Sequence, residues 1–454
     1  MNKIYSHTLS LCNTCKSKIK ARIVEKEGQI FMEKFCPDHG FSETLISSDK
    51  EWYEQSLTYV KPGQIPQLYN QEKFSGCPDS CGFCIEHQQH TCLPVIEINY
   101  NCDLNCPICL KGECSNFQMT PAQFENILDN LIATEGTVDV VNLSGGEPAL
   151  HPDLNTFFEI AAQKSISQLS LSTNGMELLK NKTLRDSLKK YGVIAALQFD
   201  GFDDLTYTIL RGASMAKEKL ALIETLENEN VLYSLVVTIA NNINQHEISR
   251  ITDFFFQSKA LTMMFQPLTF TGAASNFDPI KHRITIADIV IEIEKSTFVK
   301  QGDFNPLPCS HYSCFALAYF LKVEKNQYFS LKEFLGKENY LEVIANKTLP
   351  GLDKDGYSLM KQRLYEFWSA SDSSDLNDKV IERIRKIILE MNSCGFTQKN
   401  ALTMGKENMK AIFIHHFMDV YNFDFSRLVK CCNPYPRIDN RLVPICAQNV
   451  IFNT

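Results

Sequence analysis

The chain has 454 residues, 44% of them hydrophobic, and a formal net charge of −8. That length supports two or three domains with sizeable cores, and the acidic balance excludes the basic footprint of a nucleic-acid-binding protein. No run approaches the ~18 apolar residues of a membrane span and the amino terminus is too short and polar to open a signal peptide, so the 17 cysteines point to metal ligation in a reducing cytoplasm rather than to disulfides.

The first cysteines come as Cys12 and Cys15, then Cys36-Pro37-Asp38-His39-Gly40. Between them, residues 21–24 and 29–32 read as a hairpin turning at Glu27-Gly28. Two knuckles on a hairpin make a ribbon site, with Cys12, Cys15, Cys36 and His39 as tetrahedral ligands for zinc or for one rubredoxin-like iron. Four ligands close the coordination sphere, which suits a structural or electron-transferring role. A Pro- and Gly-bearing connector at 61–66 follows. Next come Cys77, Cys81 and Cys84, spaced Cys-x3-Cys-x2-Cys, with Cys92 as a fourth thiolate that would saturate a 4Fe–4S cube. His87 and His90 read as donors to its sulfurs, or else as ligands themselves.

Residues 95–100 read as a strand, and directly after them Cys102, Cys106 and Cys109 repeat the same spacing. Thiolates this close cannot all pair as disulfides, but they can converge on a cube, and three ligands leave one iron open. A regular βα rhythm follows. Thr120-Pro121-Ala122-Gln123 is a strong helix start, and Phe124, Ile127, Leu128 and Leu131 share the helix's apolar face. Strands are expected at 138–144, 168–173, 194–200, 231–239 and 261–267. Alternating elements of this kind imply a parallel sheet with functional residues at the strands' C-terminal ends.

Three motifs in this order, a Cys/His ribbon, a Gly-Cys-Pro-x2-Cys-Gly-x-Cys segment with two histidines, and a Cys-x3-Cys-x2-Cys loop, resemble the radical S-adenosylmethionine (SAM) enzymes. Within them the chain is similar to the group that includes the archaeal tetraether lipid synthase and the hydroxymethylpterin methyltransferase. The resemblance implies a partial (β/α)6 TIM-like barrel. It also implies that the open iron on Cys102, Cys106 and Cys109 chelates SAM, and that one electron from the cluster yields methionine and a 5′-deoxyadenosyl radical. Ser144-Gly145-Gly146-Glu147-Pro148 matches the superfamily's Gly-Gly-Glu-Pro motif, in which glycines admit the ligand and Glu147 accepts from the SAM amino group. Ser172 and Asn174, ending the third strand, stand where the superfamily contacts the ribose, or form a glycine turn capped by Asn174. Gln198 and Asp200 end the fourth strand. Arg211 is placed to hold the SAM carboxylate, or else makes a surface ion pair. Gln266 faces substrate or satisfies a buried backbone group. Ile108 departs from the aromatic residue many members carry, which weakens a contact to adenine.

Beyond about residue 275 helical patterns take over, at 286–295, 380–391 and 407–420. Cys309, Cys314, one of Cys431 and Cys432, and Cys446 are read as a second saturated auxiliary 4Fe–4S cluster, as the resemblance supports. Cys114 and Cys394 are read as small buried hydrophobes. The expected α/β chain thus has a metal-ribbon module at 1–60, an auxiliary iron–sulfur segment at 61–93, a radical SAM core at 94–275 and a mainly helical auxiliary-cluster domain at 276–454. The expected function is radical functionalisation of an unactivated C–H bond, by C–C bond formation or one-carbon transfer, on a lipid or pterin-like substrate. Flavodoxin or ferredoxin is the expected electron donor. A peptide-modifying maturase is the alternative enzyme. A non-catalytic multi-cluster electron carrier is the alternative from another class, and it would not need Gly145-Gly146-Glu147.

Overall fold

A computed structural model describes residues 3–69, 71–72, 76–77, 81–111, 116–346, 354–370, 375–395 and 397–452. Cys114 lies outside the described residues, as does the side chain of Cys394. Residues 4–47 form an antiparallel sheet in the order β1 (Ile4–Leu11), β2 (Lys18–Lys26), β3 (Gln29–Cys36) and β4 (Gly40–Ser47). The expected hairpin turns at Glu27 and Gly28, both at positive φ, the geometry whose twist matches the flanking strands. Alternation along β2 and β3 buries Ala21, Ile23, Ile30 and Met32 against Tyr53 of the helix Lys50–Ser56.

The second sheet has ten strands. β5 (Val95–Asn99), β6 (Val138–Gly145), β7 (Ile166–Thr173), β8 (Ile194–Gln198), β9 (Tyr233–Ile239) and β10 (Thr262–Pro267) pair in parallel and in sequence order. These are the six expected strands. Helices cover their outer face. In Pro121–Glu135, Thr120 and Gln123 form a reciprocal capping box, and Phe124, Ile127, Leu128 and Leu131 are buried as their spacing requires.

The C-terminal part carries the expected helices, including Ile286–Ile293 and Asp375–Cys394, and it also supplies strands. These are β11 (Asn305–Pro306), β12 (Phe315–Glu324), β13 (Gln327–Ser330) and β14 (Met409–His415), with a separate ribbon of β15 (Pro434–Pro436) and β16 (Leu442–Pro444). The helical pattern read at 407–420 is corrected by β14, which continues the sheet as a seventh parallel strand beside β10. Strand β12 closes against β14 in antiparallel sense. Both are sandwiched between neighbours and buried on both faces, so they appear in sequence as continuous apolar runs, which periodicity cannot tell from a buried helix. Among the described residues no helix is long and apolar enough to cross a membrane.

Candidate functional site: a cysteine-rimmed barrel cavity

Alternation along the parallel strands turns one residue in two inward, and the inward set mixes apolar Val140, Ile194, Ala196, Val236 and Met264 with a polar group. Asn142, Ser144, Ser170, Ser172, Gln198, Ser234, Thr238 and Thr262 all line a cavity of about 510 Å³. Ser170 and Ser172 hydrogen-bond Asn142, and Thr262 donates to Ser234, so the wall is hydrogen-bonded within itself. Ser172 is therefore already engaged with Asn142 at 2.9 Å.

Cys102, Cys106 and Cys109 lie at this cavity on the loop after β5, each half-buried and unpaired. Burial pushes the Cys102 thiol up to about 12, and Cys106 is raised for the same reason against the opposing pull of Arg211. The loop is seated on the Gly-Gly-Glu-Pro turn. Gly146 and Glu147 donate backbone hydrogen bonds to the Asn99 and Asn101 carbonyls, each at 2.8 Å. A Cβ at Gly145 would stand 2.0 Å from the Asn99 oxygen, and one at Gly146 2.3 Å from the Asn101 oxygen. The two glycines thus admit the backbone of the cysteine loop itself. Glu147 is 1% exposed, and burial raises it to about 7. Its carboxylate accepts from Thr173 Oγ1 (2.7 Å), the Asn174 amide (2.7 Å) and the Ala149 amide (3.0 Å), the last capping a short turn begun by Pro148. Asn174 also reaches Asp103 of the cysteine loop at 2.6 Å.

Arg211 is not a surface residue. Its guanidinium is held by both oxygens of the fully buried Asp200 (2.6 and 3.0 Å) and by Thr238 Oγ1 (2.9 Å), and it hydrogen-bonds the Cys106 sulfur. Beneath this pair lies Lys219, which sequence reasoning missed. Its Nζ bonds Gln198 Oε1 (2.6 Å) and the Asn174 carbonyl, and burial lowers it to about 7. The signal was present: Lys219 stands on the apolar stripe Ala216, Leu222, Ile223, Leu226 of the helix Ala216–Glu229. Three unpaired thiols converging on one cavity, with a cradle pressed to their loop, fit a cubic cluster open on one side, and the polar residues beside it fit its ligand.

At the ribbon, the ligand atoms of Cys12, Cys15, Cys36 and His39 lie within 4.8 Å of one another, as the ligands of one ion must. His39 Nδ1 is 3.6 Å from Cys12 Sγ and 3.5 Å from Cys36 Sγ. The other expected sets are redrawn. Cys92 lies beside Cys309 and Cys432, with its amide donating to the Cys432 carbonyl at 2.8 Å. Cys77, Cys81 and Cys84 remain neighbours, and Cys314, Cys431 and Cys446 form a third group. The adjacent pair therefore divides, Cys432 toward Cys92 and Cys431 toward Cys446. Pairing across more than three hundred residues cannot be read from spacing along the chain. Both histidines stand near these groups, His90 Nε2 3.7 Å from Cys92 Sγ and His87 Nε2 2.8 Å from the Cys431 carbonyl.

Comparison with known proteins adds to this geometry. Residues 4–48 match a family described as the HMPTM N-terminal zinc ribbon domain, and residues 72–255 match the radical SAM superfamily. The chain is 30% identical to the 7,8-dihydro-6-hydroxymethylpterin dimethyltransferase of Methanocaldococcus jannaschii, across 98% of this chain and 93% of that protein. It is 27% identical to an S-adenosylmethionine-dependent nucleotide dehydratase of Selenomonas ruminantium, over 33% of this chain and 51% of that one. Among solved structures, SuiB of Streptococcus suis bound to S-adenosylmethionine aligns with 18% identity and a TM-score of 0.39, covering 45% of this chain and 46% of that one.

Proposed function

The chain belongs to the radical SAM superfamily, in the group of the 7,8-dihydro-6-hydroxymethylpterin dimethyltransferase, and from that premise we propose that it transfers one-carbon units to an unactivated carbon of a reduced pterin or a closely related planar heterocycle. The observation that carries the reading is the cavity. One continuous cavity of about 510 Å³ runs from Cys102, Cys106 and Cys109 past Glu147 to Cys92 and Cys432, a volume in the range of small-molecule sites.

In this reading Cys102, Cys106 and Cys109 hold the cluster. Gly145, Gly146 and Pro148 shape the cradle, Glu147, Ser172, Asn174 and Arg211 border SAM, and Asp200 holds Arg211 in place. Bound there, cluster and SAM supply a 5′-deoxyadenosyl radical able to abstract hydrogen from a strong C–H bond. The chain's own residues exclude water, fix the cysteine loop through the Gly145 and Gly146 contacts, and hold Arg211 against Cys106 through Asp200. The ribbon at 1–60 binds one zinc, in keeping with the family it resembles. Among the described residues nine cysteines lie outside the ribbon and the cluster loop, one more than two saturated cubes need. We assign them to two auxiliary 4Fe–4S clusters built on Cys92, Cys309 and Cys432 and on Cys314, Cys431 and Cys446, with Cys77, Cys81 and Cys84 supplying the remaining ligands. Such clusters would supply one-electron redox chemistry beside the substrate, with a flavodoxin- or ferredoxin-like protein of the cytoplasm as the donor that reduces the SAM cluster. Residues 61–93 then form the auxiliary segment, 94–275 the catalytic core and 276–454 the cap.

The test is anaerobic turnover of reconstituted protein with SAM, reductant and 7,8-dihydro-6-hydroxymethylpterin. A methylated pterin, with 5′-deoxyadenosine carrying deuterium from a labelled substrate, is expected. An alkyl-chain lipid run in parallel decides the other substrate class. 5′-Deoxyadenosine without pterin consumption would reject the reading.

A further inference from the structure

Strand β14 was hidden in the sequence, and it brings a residue to the cavity that no motif marks. Along Ala411-Ile412-Phe413-Ile414-His415, alternation sends Ile412 and Ile414 into the main core and turns Phe413 and His415 to the cavity. Because β14 continues the parallel sheet beside β10, His415 stands at a strand's C-terminal end, one residue past the Phe265–Ile414 pairing. The corresponding ends of the other strands carry Ser144, Ser172, Gln198 and Gln266. In folds of this type that end carries the chemistry.

The imidazole is held as a rigid plate. It stacks on Phe315 with centroids 3.8 Å apart and contacts Phe417 at 4.1 Å. The residue is 6% exposed, and neither ring nitrogen has a hydrogen-bond partner among the described residues. Neighbouring polar groups on the wall are engaged: Asn433 accepts from Cys432 Sγ at 3.1 Å, and Gln266 donates to Met264 Sδ at 3.4 Å. Both nitrogens belong to a residue lining the cavity, where an occupant can complete them, and a phenylalanine would fill this aromatic slot without offering either. The imidazole makes physical sense if the cavity's occupant completes it. Burial, aided by the Arg427 charge, lowers its pKa to about 3, so it stays neutral, with one donor and one acceptor nitrogen.

We propose that His415 is the substrate-orienting residue, hydrogen-bonding the donor–acceptor edge of a neutral planar heterocycle in the cavity. This rests on the functional reading above and names the contact that selects its substrate class. A neutral imidazole between two aromatic rings suits the lactam or amidine edge of such a ring system. It offers little to an alkyl chain, and it brings no charge with which to hold a phosphate.

The experiment is equilibrium binding of 7,8-dihydro-6-hydroxymethylpterin to the reconstituted full chain with SAM present, read by the pterin's fluorescence. His415→Phe should weaken binding about tenfold or more, and His415→Gln, which keeps a donor and an acceptor, should recover part of the loss. Iron content should match wild type in both variants, whereas a merely structural role would lower iron and binding together and would not be rescued by glutamine. Wild-type binding that His415→Phe leaves within twofold overturns the proposal while leaving the functional reading intact. A wild-type protein that binds no pterin rejects both.

Discussion

Gly146→Ala separates two reasons for a glycine beside a ligand site. Gly146 does not lie in the left-handed region, so alanine meets no backbone penalty of that kind. Its obstacle is steric. The new Cβ would stand 2.3 Å from the Asn101 oxygen, 2.7 Å from the Asn101 carbonyl carbon and 2.8 Å from that of Tyr100, and all three are backbone atoms. Real Cβ contacts essentially never fall below 3.0 Å, so going from 2.3 to 3.0 Å the loop must open by about 0.7 Å. Opening strains the two 2.8 Å hydrogen bonds to Asn99 and Asn101, together worth about 1–3 kcal/mol. It also displaces Cys102, the next residue. A shift approaching 1 Å in a reacting constellation can cost on the order of 100-fold in rate. The assay is 5′-deoxyadenosine formation by anaerobically reconstituted protein, with a fall of about that size expected. Gly192→Ala is the control: its φ is +64°, yet nothing lies within 4 Å of the added carbon. It should lose about 1 kcal/mol of stability and leave SAM cleavage unchanged. Gly146→Ala turning over within threefold of wild type would show that the cradle yields without consequence and refute the reasoning.

Two further outcomes follow from the redrawn cysteines and the buried charges. Cys92→Ala and Cys309→Ala should each remove one auxiliary cluster, about four irons, and the double variant should lose no more than either single one; additive iron loss would place the two thiols in different clusters. Lys219, lowered to about 7 by burial, leaves the unfolded chain holding a proton that the folded chain lacks between pH 7 and 10.5, so stability rises over that window. Glu147, raised from 4.5 to about 7, acts in the opposite sense, lowering stability as pH climbs from 4.5 to 7. Lys219→Met should flatten the upper rise in denaturant unfolding measured without SAM, and an unchanged slope in the variant would rule the assignment out.

What could be read from the sequence was local. Cys102, Cys106 and Cys109, the Gly-Gly-Glu-Pro turn and the capping box at Thr120 each sit within a short window, where spacing dictates geometry. The six strands β5–β10 showed because helices punctuate them. Strands β12 and β14 escaped because burial on both faces erases the period-two pattern. The partner of Cys92 escaped for another reason. Only the folded chain brings residue 432 to residue 92, and a hydrogen bond between their backbones, not a motif, holds them there. Lys219 was legible in principle. A lysine on an apolar stripe is either an error of pattern or a buried cation with work to do, and here its Nζ is met by two oxygens.

The charges around the cysteine loop bear on what Arg211 does. Asp103, Glu147 and Asp200 set three carboxylates against Arg211 and Lys219, and burial moves both Glu147 and Lys219 to about 7, so the protein's own charges here do not simply cancel. The thiols decide the remainder. Burial raises Cys102 and Cys106, so their thiolates form readily only when a metal replaces the protons, and metal uptake must release protons. Arg211 is the cation in hydrogen-bond contact with a cluster-loop sulfur, Cys106, and Asp200 holds it there through both oxygens. A guanidinium free to swing toward a ligand carboxylate would not need so complete a clamp. An Arg fixed against a sulfur favours the thiolate at all times and so eases metal loading. The geometry therefore gives Arg211 a task at the sulfur end of the pocket and makes Asp200 the residue that keeps it there.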